Sequence, residues 1–456
     1  MRTLIKIIFI TSILVLFTAC GSTTSDSQTV TNGNQPLGDV NFGVTQNKIP
    51  TLVVIMNWTD YSENDPLVWY NKIFNKEVNS VNRWYYDSTD AEIELVPVKE
   101  TSGTENDGVI VVNMNKAHPG GYSDTTFRDI EITAAITSSV VVNNMDFATL
   151  DTNGDGDISH NELQIIFIVA GGEESYGDPQ YKSIWAHAWS YESNNAPNVD
   201  GVNLMRYTGV DTTSGSYAKF GATHDIDSAN SHKATIGIIA HELGHSLFNL
   251  VDLYDNGGGS GLGFYGIMSS GSWARKVVDT YPGETPTQFS AFSKMDTKID
   301  TNVTTFLNTS GVVTIRCSSN ELIKLATSKS NEYFLLECRD SAKVDSDRSF
   351  NKIDSSFTDN RLFAMLYHVD TDKSTNNENG IQTASNHYKV AVVERDITSA
   401  LTQNEDIEAK FSDVYTEGYT IDTSKTKLYD SSLSGYSIVI NSSDDTKRTM
   451  TFSISK

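Results

Sequence analysis

Hydrophobic residues along this chain fall into short blocks whose spacing sorts them into elements. Thr51 to Met56 is an unbroken apolar run of strand length, the pattern of a strand buried on both faces. Asp65-Pro66 supplies an N-cap and a proline at the first helical position, and Phe74, Val78, Val81 and Tyr85 continue as one helical stripe. Ile93–Val98 and Val109–Val112 read as further strands, and Leu163–Ala170, β-branched and apolar, reads as another. Ile236, Ile239, Leu243 and Leu247 recur at helical spacing, so a helix is expected there. Phe289–Lys294 predicts a short helix. From about Val303 strand-like runs dominate: VVTIRC, ELIKLAT, EYFLLEC, RLFAMLYHVD, YKVAVVERD, YSIVINS and TMTFSIS. Helices and strands mixed first and strands alone afterwards predict an α+β fold, with a mostly β C-terminal region packed on a mixed-sheet core.

Composition adds boundaries to this pattern. Arg2 and Lys6 precede an apolar stretch, Ile7–Phe17, that ends in Thr18-Ala19-Cys20-Gly21. This reads as a signal peptide over 1–19 with Cys20 lipidated as the mature N-terminus, or as a plain cleaved signal. Residues 20–47 are rich in Ser, Thr, Asn and Gly and read as a flexible tether, leaving 48–300 and 301–456 as the folded parts. The chain of 456 residues carries 58 acidic against 34 basic side chains, a net charge of −24. That balance excludes nucleic acid and anionic membrane surfaces as partners, so the expected membrane contact is the N-terminal lipid alone. An exported monomer, at the cell surface or in the periplasm or released, is expected. Cys317 and Cys338 are either a disulfide between two runs that could pair antiparallel, or two buried thiols.

The expected helix holds the sharpest chemistry. His241-Glu242-Leu243-Gly244-His245 places two imidazoles four residues apart, on one face, where both can reach one Zn²⁺ with Glu242 beside them as general base. A third ligand is needed. Asn249 tolerates the left-handed conformation that would turn the chain, and Asp252 lies three residues beyond it, with Asp255 as the other candidate. Shortly after, Tyr265–Trp273 sets Met268 in a Gly/Ser-rich turn of the kind that floors zinc sites; core packing is its other use. Asp151, Asn153, Asp155, Asp157 and Glu162 stand at EF-hand loop positions 1, 3, 5, 7 and 12, with Gly156 at 6, and predict a Ca²⁺ loop clamping the following strand. His187, His224 and Tyr265 are candidates for stabilising an oxyanion. No G-x-S-x-G elbow appears, which disfavours a serine hydrolase.

HELGHSLFNLVDLYD at 241–255, YGIMSSGSW at 265–273, FSAFSK at 289–294, EYFLLECRD at 332–340 and LYHVD at 366–370 resemble the immune inhibitor A-type, thuringilysin-like, secreted zinc metallopeptidases. LVVIMNWTD, SVNRWYYDS and the DTNGDGD loop share that similarity, which covers roughly residues 50–456. The resemblance implies a zincin-like core, with His241, His245 and Asp252 on Zn²⁺ and Glu242 as the catalytic carboxylate. It also implies hydrolysis of peptide bonds in extracellular proteins or peptides. Two rival readings are a catalytically silent, calcium-stabilised surface binding protein on the same fold, and a zinc amidase acting on the cell wall.

Overall fold

In a computed structural model the chain is described over residues 48–456, apart from 78, 121–129, 193, 211–212, 258, 300, 342–361, 377–382 and 397–411. The leader, Cys20, the tether and Val78 lie outside the described residues.

A central strand, β1 (Lys48–Asn57), pairs in parallel with β2 (Glu94–Pro97) and β3 (Val109–Asn113) and, on its other side, with β4 (Gln164–Glu173). The end of β4 also takes the short parallel β5 (Ser183–Ile184). After β6 (His187–Trp189) and a small hairpin of β7 (Asn198–Val199) and β8 (Val202–Asn203), β9 (Tyr217–His224) runs parallel to β4. β6 and then β10 (His232–Lys233) pair antiparallel with the two ends of β9.

Parallel strands buried on both faces explain the unbroken apolar runs. Along β1, Ile49, Val53 and Ile55 enter one core while Leu52, Val54 and Met56 enter another. The first core takes α1 (Pro66–Phe74) and α2 (Val81–Ser88); the second takes α3 (Ile132–Ile136) and α4 (Ser139–Val142). The single helix expected from Asp65 onward is thus two. Asn75 turns extended with ψ 151°, Asn79 takes φ +67°, and the Ser80 hydroxyl accepts from the Arg83 amide to start α2.

Two further helices, α5 (Ile236–Phe248) and α6 (Ala291–Asp296), precede nine strands. They are β11 (Asn302–Leu307), β12 (Gly311–Arg316), β13 (Glu321–Ala326), β14 (Glu332–Asp340), β15 (Leu362–Asp370), β16 (Val390–Val392), β17 (Thr420–Ile421), β18 (Ser437–Asp444) and β19 (Thr449–Ser455). One sheet runs β11-β13-β14-β15-β16 and the other β12-β19-β18-β17. Phe334, Leu336 and Leu366 of the first pack against Ile438, Ile440 and Phe452 of the second. Tyr333, Leu335 and Tyr367, on the opposite face, join the core that holds α5. The chain therefore combines mixed sheets with few helices.

Cys317 and Cys338 are disulfide-bonded, but VVTIRC and EYFLLEC do not pair. β12 pairs with β19, while β14 lies between β13 and β15, so the bond ties one sheet to the other. Among the described residues, no helix is long and apolar enough to cross a membrane.

Candidate metal centre

α5 is buried around almost its whole circumference rather than along one stripe. Its N-terminal half is locked by close backbone approach. Any Cβ on Gly237 would lie 1.8 Å from the Ser272 carbonyl oxygen, and the Gly237 amide donates to the Gly283 carbonyl. Its C-terminal end falls where Asn249, at φ +53°, takes the left-handed conformation and reverses the chain. Asparagine tolerates this better than most residues, and the reversal brings Asp252 back beneath the helix.

Three side-chain atoms converge there. Asp252 Oδ1 lies 3.2 Å from His241 Nε2 and 3.1 Å from His245 Nε2, and the two Nε2 atoms are 3.2 Å apart. His241 Nδ1 sits 2.8 Å from the Ile267 carbonyl oxygen and His245 Nδ1 sits 2.5 Å from that of Leu250. A carbonyl only accepts, so each Nδ1 carries the proton and each Nε2 presents a lone pair. Asp252 Oδ1 is itself buried and takes no donor among the described residues. Its other oxygen, Oδ2, accepts from the Tyr254 hydroxyl at 3.0 Å.

Such a triangle of two lone pairs and an anion needs a positive charge at its centre. Burial opposes protonation of His245, yet Asp252 beside it outweighs burial and draws the imidazole up to about 9. Burial likewise favours the neutral form of Asp252, but the two histidines hold it far below the usual carboxylate range. Tetrahedral ligands at the usual 2.0–2.1 Å from Zn²⁺ are roughly 3.3 Å apart, close to all three separations. The donors, their tautomers and their spacing therefore fit zinc. Glu242, the next residue on the helix, is nearly fully buried. Burial first, and Asp252 second, push its carboxyl up, against the pull of His241, His245 and Lys219.

The floor of the site is the segment after Asp252. Met268 is wholly buried, its sulfur 2.6 Å from where a Cβ on Gly244 would stand. Its carbonyl accepts from the Leu253 amide at 2.7 Å, joining the Met268 turn to the Asp252 turn. The C-terminal sheets hold this floor from outside: Arg339 donates to the Tyr265 carbonyl, Asn376 to the Leu253 carbonyl, and the Tyr388 hydroxyl to Asp255. Asp255 is thus turned toward Tyr388.

Of the oxyanion candidates, Tyr265 is fully buried with its hydroxyl donated to Asp413, and His224 is fully buried at the far end of β9. His187 lies half-buried on β6, opposite Lys219. Tyr254, Lys219 and the Ile267 and Leu250 carbonyls were not anticipated. Tyr254 was the most findable, since it sits two residues past Asp252.

The 151–162 loop folds on itself. Gly154 and Gly156 take φ +73° and +81°, and Asp151 accepts from the amides of Gly154, Asp155 and Gly156. Asn153 accepts from Asp155, and Asp155 from Asp157. Glu162 reaches back to Thr152, Asn153 and Ser159, while Asp157 pairs with Asn203 and Arg206. Among the described residues, three His, Cys, Asp or Glu ligand atoms lie within 4.8 Å of one another at two places. One is the His241, His245 and Asp252 trio; the other is Glu394, Asp396 and Asp413.

Two known proteins are similar to part of this chain. Immune inhibitor A of Bacillus thuringiensis subsp. alesti is 31% identical over 170 residues, which is 35% of this chain and 23% of that protein. Pre-pro-metalloprotease PrtV of Vibrio cholerae serotype O1 is 34% identical over 152 residues, 31% of this chain and 14% of PrtV. The matched part therefore spans less than a quarter of either relative. Residues 61–300, more than half of the chain and including α5 and the turns beneath it, match the immune inhibitor A peptidase M6 catalytic domain. The chain belongs to that family of metallopeptidases.

Proposed function

We propose that the protein is an exported, zinc-dependent endopeptidase, with His241, His245 and Asp252 as the ligands and Glu242 as the general base. The observation that carries this reading is the trio itself: three ligand atoms 3.1–3.2 Å apart, with both imidazole tautomers set by carbonyls. Bound there, Zn²⁺ supplies Lewis acidity, lowering the pKa of water toward ~7 and polarising a carbonyl. Glu242 takes the proton of the attacking water and delivers it to the departing amine nitrogen. Its burial suits the shuttle, because burial raises the carboxyl's affinity for the proton it takes from the water. Tyr254 holds Asp252 by its second oxygen, and Met268 fixes the floor by packing.

The rest of the proposal is architectural. The core is an α+β, zincin-like catalytic domain over 48–300, with the β-rich 301–456 packed on it. Asp151, Asn153, Asp155, Asp157 and Glu162 hold Ca²⁺, supported by the two left-handed glycines that shape an EF-hand-type loop. Residues 1–19 are a signal peptide, Cys20 carries a lipid, and the mature protein is a tethered monomer acting on extracellular proteins or peptides. Glu242→Gln is the test. It should keep one equivalent of zinc and lose casein cleavage by at least ~10³-fold, while 1,10-phenanthroline abolishes cleavage by the unaltered protein. A Glu242→Gln protein that cleaves at the unaltered rate would falsify the assignment.

A further inference from the structure

A second pair of imidazoles stands on the sheet, where β9 meets β10. His224 on β9 and His232 on β10 are direct cross-strand partners. Their rings are 5.3 Å apart at 86°, against 4.9 Å and 86° for His241 and His245. The pair lies at the other end of β9 from Ser216, whose hydroxyl donates to the Ser246 carbonyl near the C-terminus of α5. The two pairs stand on different elements, one on β9 and β10 and the other on α5.

Three of their four ring nitrogens are buried without a hydrogen bond. His232 Nδ1 donates to the Asn230 carbonyl at 2.7 Å, which leaves Nε2 with its lone pair, and that Nε2 is buried without a hydrogen bond. This is the tautomer that the Ile267 and Leu250 carbonyls impose on His241 and His245. His224 is wholly buried, and neither of its nitrogens meets a hydrogen-bond partner among the described residues. A buried polar atom left this way is destabilising, and His224 and His232 together leave three. Aromatic rings hold both imidazoles in place: Tyr176 stacks on His224 at 4.1 Å and Tyr281 on His232 at 3.5 Å.

We propose that His224 and His232 form a second, two-histidine site for a divalent transition-metal ion of the zinc, copper or nickel class, separate from the centre on α5. Imidazole suits these ions, and with two protein ligands against three this is the weaker of the two sites. Its place gives it a consequence. Ala234, two residues after His232, donates its amide to Ala222 and accepts from Lys72 at its carbonyl, and α5 begins at Ile236. A metal joining β10 to β9 pins the strand that leads directly into the ligand-bearing helix, and stabilises the folded chain by mass action.

The test uses the full chain, stripped of metal, in excess Ca²⁺ so that the acidic loop does not compete, and titrated with Co²⁺ and separately with Cu²⁺. The unaltered protein should take up two equivalents of Co²⁺ in two phases. The second equivalent of Cu²⁺ should quench tryptophan fluorescence, since the Trp273 ring is 6.0 Å from His224. His232→Gln, at a half-buried position, should lose only the weaker equivalent and the quench, keeping its circular dichroism and its casein cleavage. His224→Phe, which preserves ring packing on Tyr176, should lose the same equivalent. His245→Gln should do the reverse, losing the tight equivalent and retaining the weak one, which keeps this proposal separable from the peptidase reading. Uptake of a single equivalent by the unaltered protein, or of two by His232→Gln, would overturn it.

Discussion

Glu337→Gln is the least conspicuous substitution with a large expected effect. Glu337, Lys294 and Arg339 are each at most 1% exposed, and they form a trio of one anion and two cations. Arg339 Nε donates to Glu337 Oε1 at 2.9 Å, Lys294 Nζ lies 3.3 Å from Oε2, and the Tyr367 hydroxyl donates to Oε1. Burial would favour the neutral acid, but Arg339 and Lys294 outweigh it and hold Glu337 below its ordinary range. The amide is nearly isosteric, yet it raises the trio's charge from +1 to +2. At an effective dielectric of about 20, each lost attraction is worth roughly 5 kcal/mol. Relaxation caps the total, because Lys294 can shed its proton at pH 7 for about 1.36 × 3.4, or roughly 5 kcal/mol. The expected loss is therefore about 3–5 kcal/mol. Arg339→Met removes a larger group but leaves a neutral Lys294–Glu337 pair. It gives up donors to the Tyr265 and Phe289 carbonyls and should lose about 2–3 kcal/mol. Urea denaturation at pH 7 reads both, with Glu337→Gln the lower midpoint and partly recovered at pH 9.5, where shedding the proton is easier. A Glu337→Gln midpoint equal to or above that of Arg339→Met refutes the charge argument.

Three further expectations follow from single contacts. Gly244→Ala gains about 1 kcal/mol of helix propensity, but its methyl meets Met268 Sδ at 2.6 Å; overpacking of about 1–3 kcal/mol should win, giving a lower melting temperature and weaker zinc retention. Cys317 and Cys338 close a loop of sequence separation 21, so Cys317→Ala should cost about 3 kcal/mol in urea denaturation, and a reductant should act on the unaltered protein in the same direction. Burial lowers His118 to about 4, against ~6.5 in the unfolded chain. The unfolded state therefore binds the proton more tightly. The contribution is whole above pH 6.5 and is lost as pH falls toward 4, on the order of 3 kcal/mol, and His118→Asn should flatten that part of the stability profile.

What could be read ahead of the structure was what neighbours in sequence carry by themselves. The two imidazoles share a face because helical geometry makes positions four apart coincide. The turn falls at Asn249, φ +53°, because an asparagine there tolerates what the preceding Phe248 would not. The strand β9 escaped notice although it lies beside α5. Its sequence YAKFGATH is buried almost throughout, but Lys219 breaks the apolar run and Gly221 looks like a loop residue. Gly221 is required for contact instead: a Cβ there would stand 2.1 Å from the Gly172 carbonyl oxygen of β4. The disulfide was legible as a pair of cysteines but not as a bond between two sheets, since strand partners far apart in the chain leave no local mark. The same holds for the site's outer supports. Ile267 and Leu250 act through backbone carbonyls, which any residue offers, and Lys294, Glu337 and Arg339 carry charges that in sequence look like solvated surface. His241, His245 and Asp252 are local in sequence and their orientation is not. Arg339, donating to the carbonyl of Tyr265 two residues before Ile267, extends the centre into the C-terminal sheets, beyond residue 300 where the family match ends. A chain cut at that point would keep His241, His245 and Asp252 and lose the groups that hold the floor beneath them.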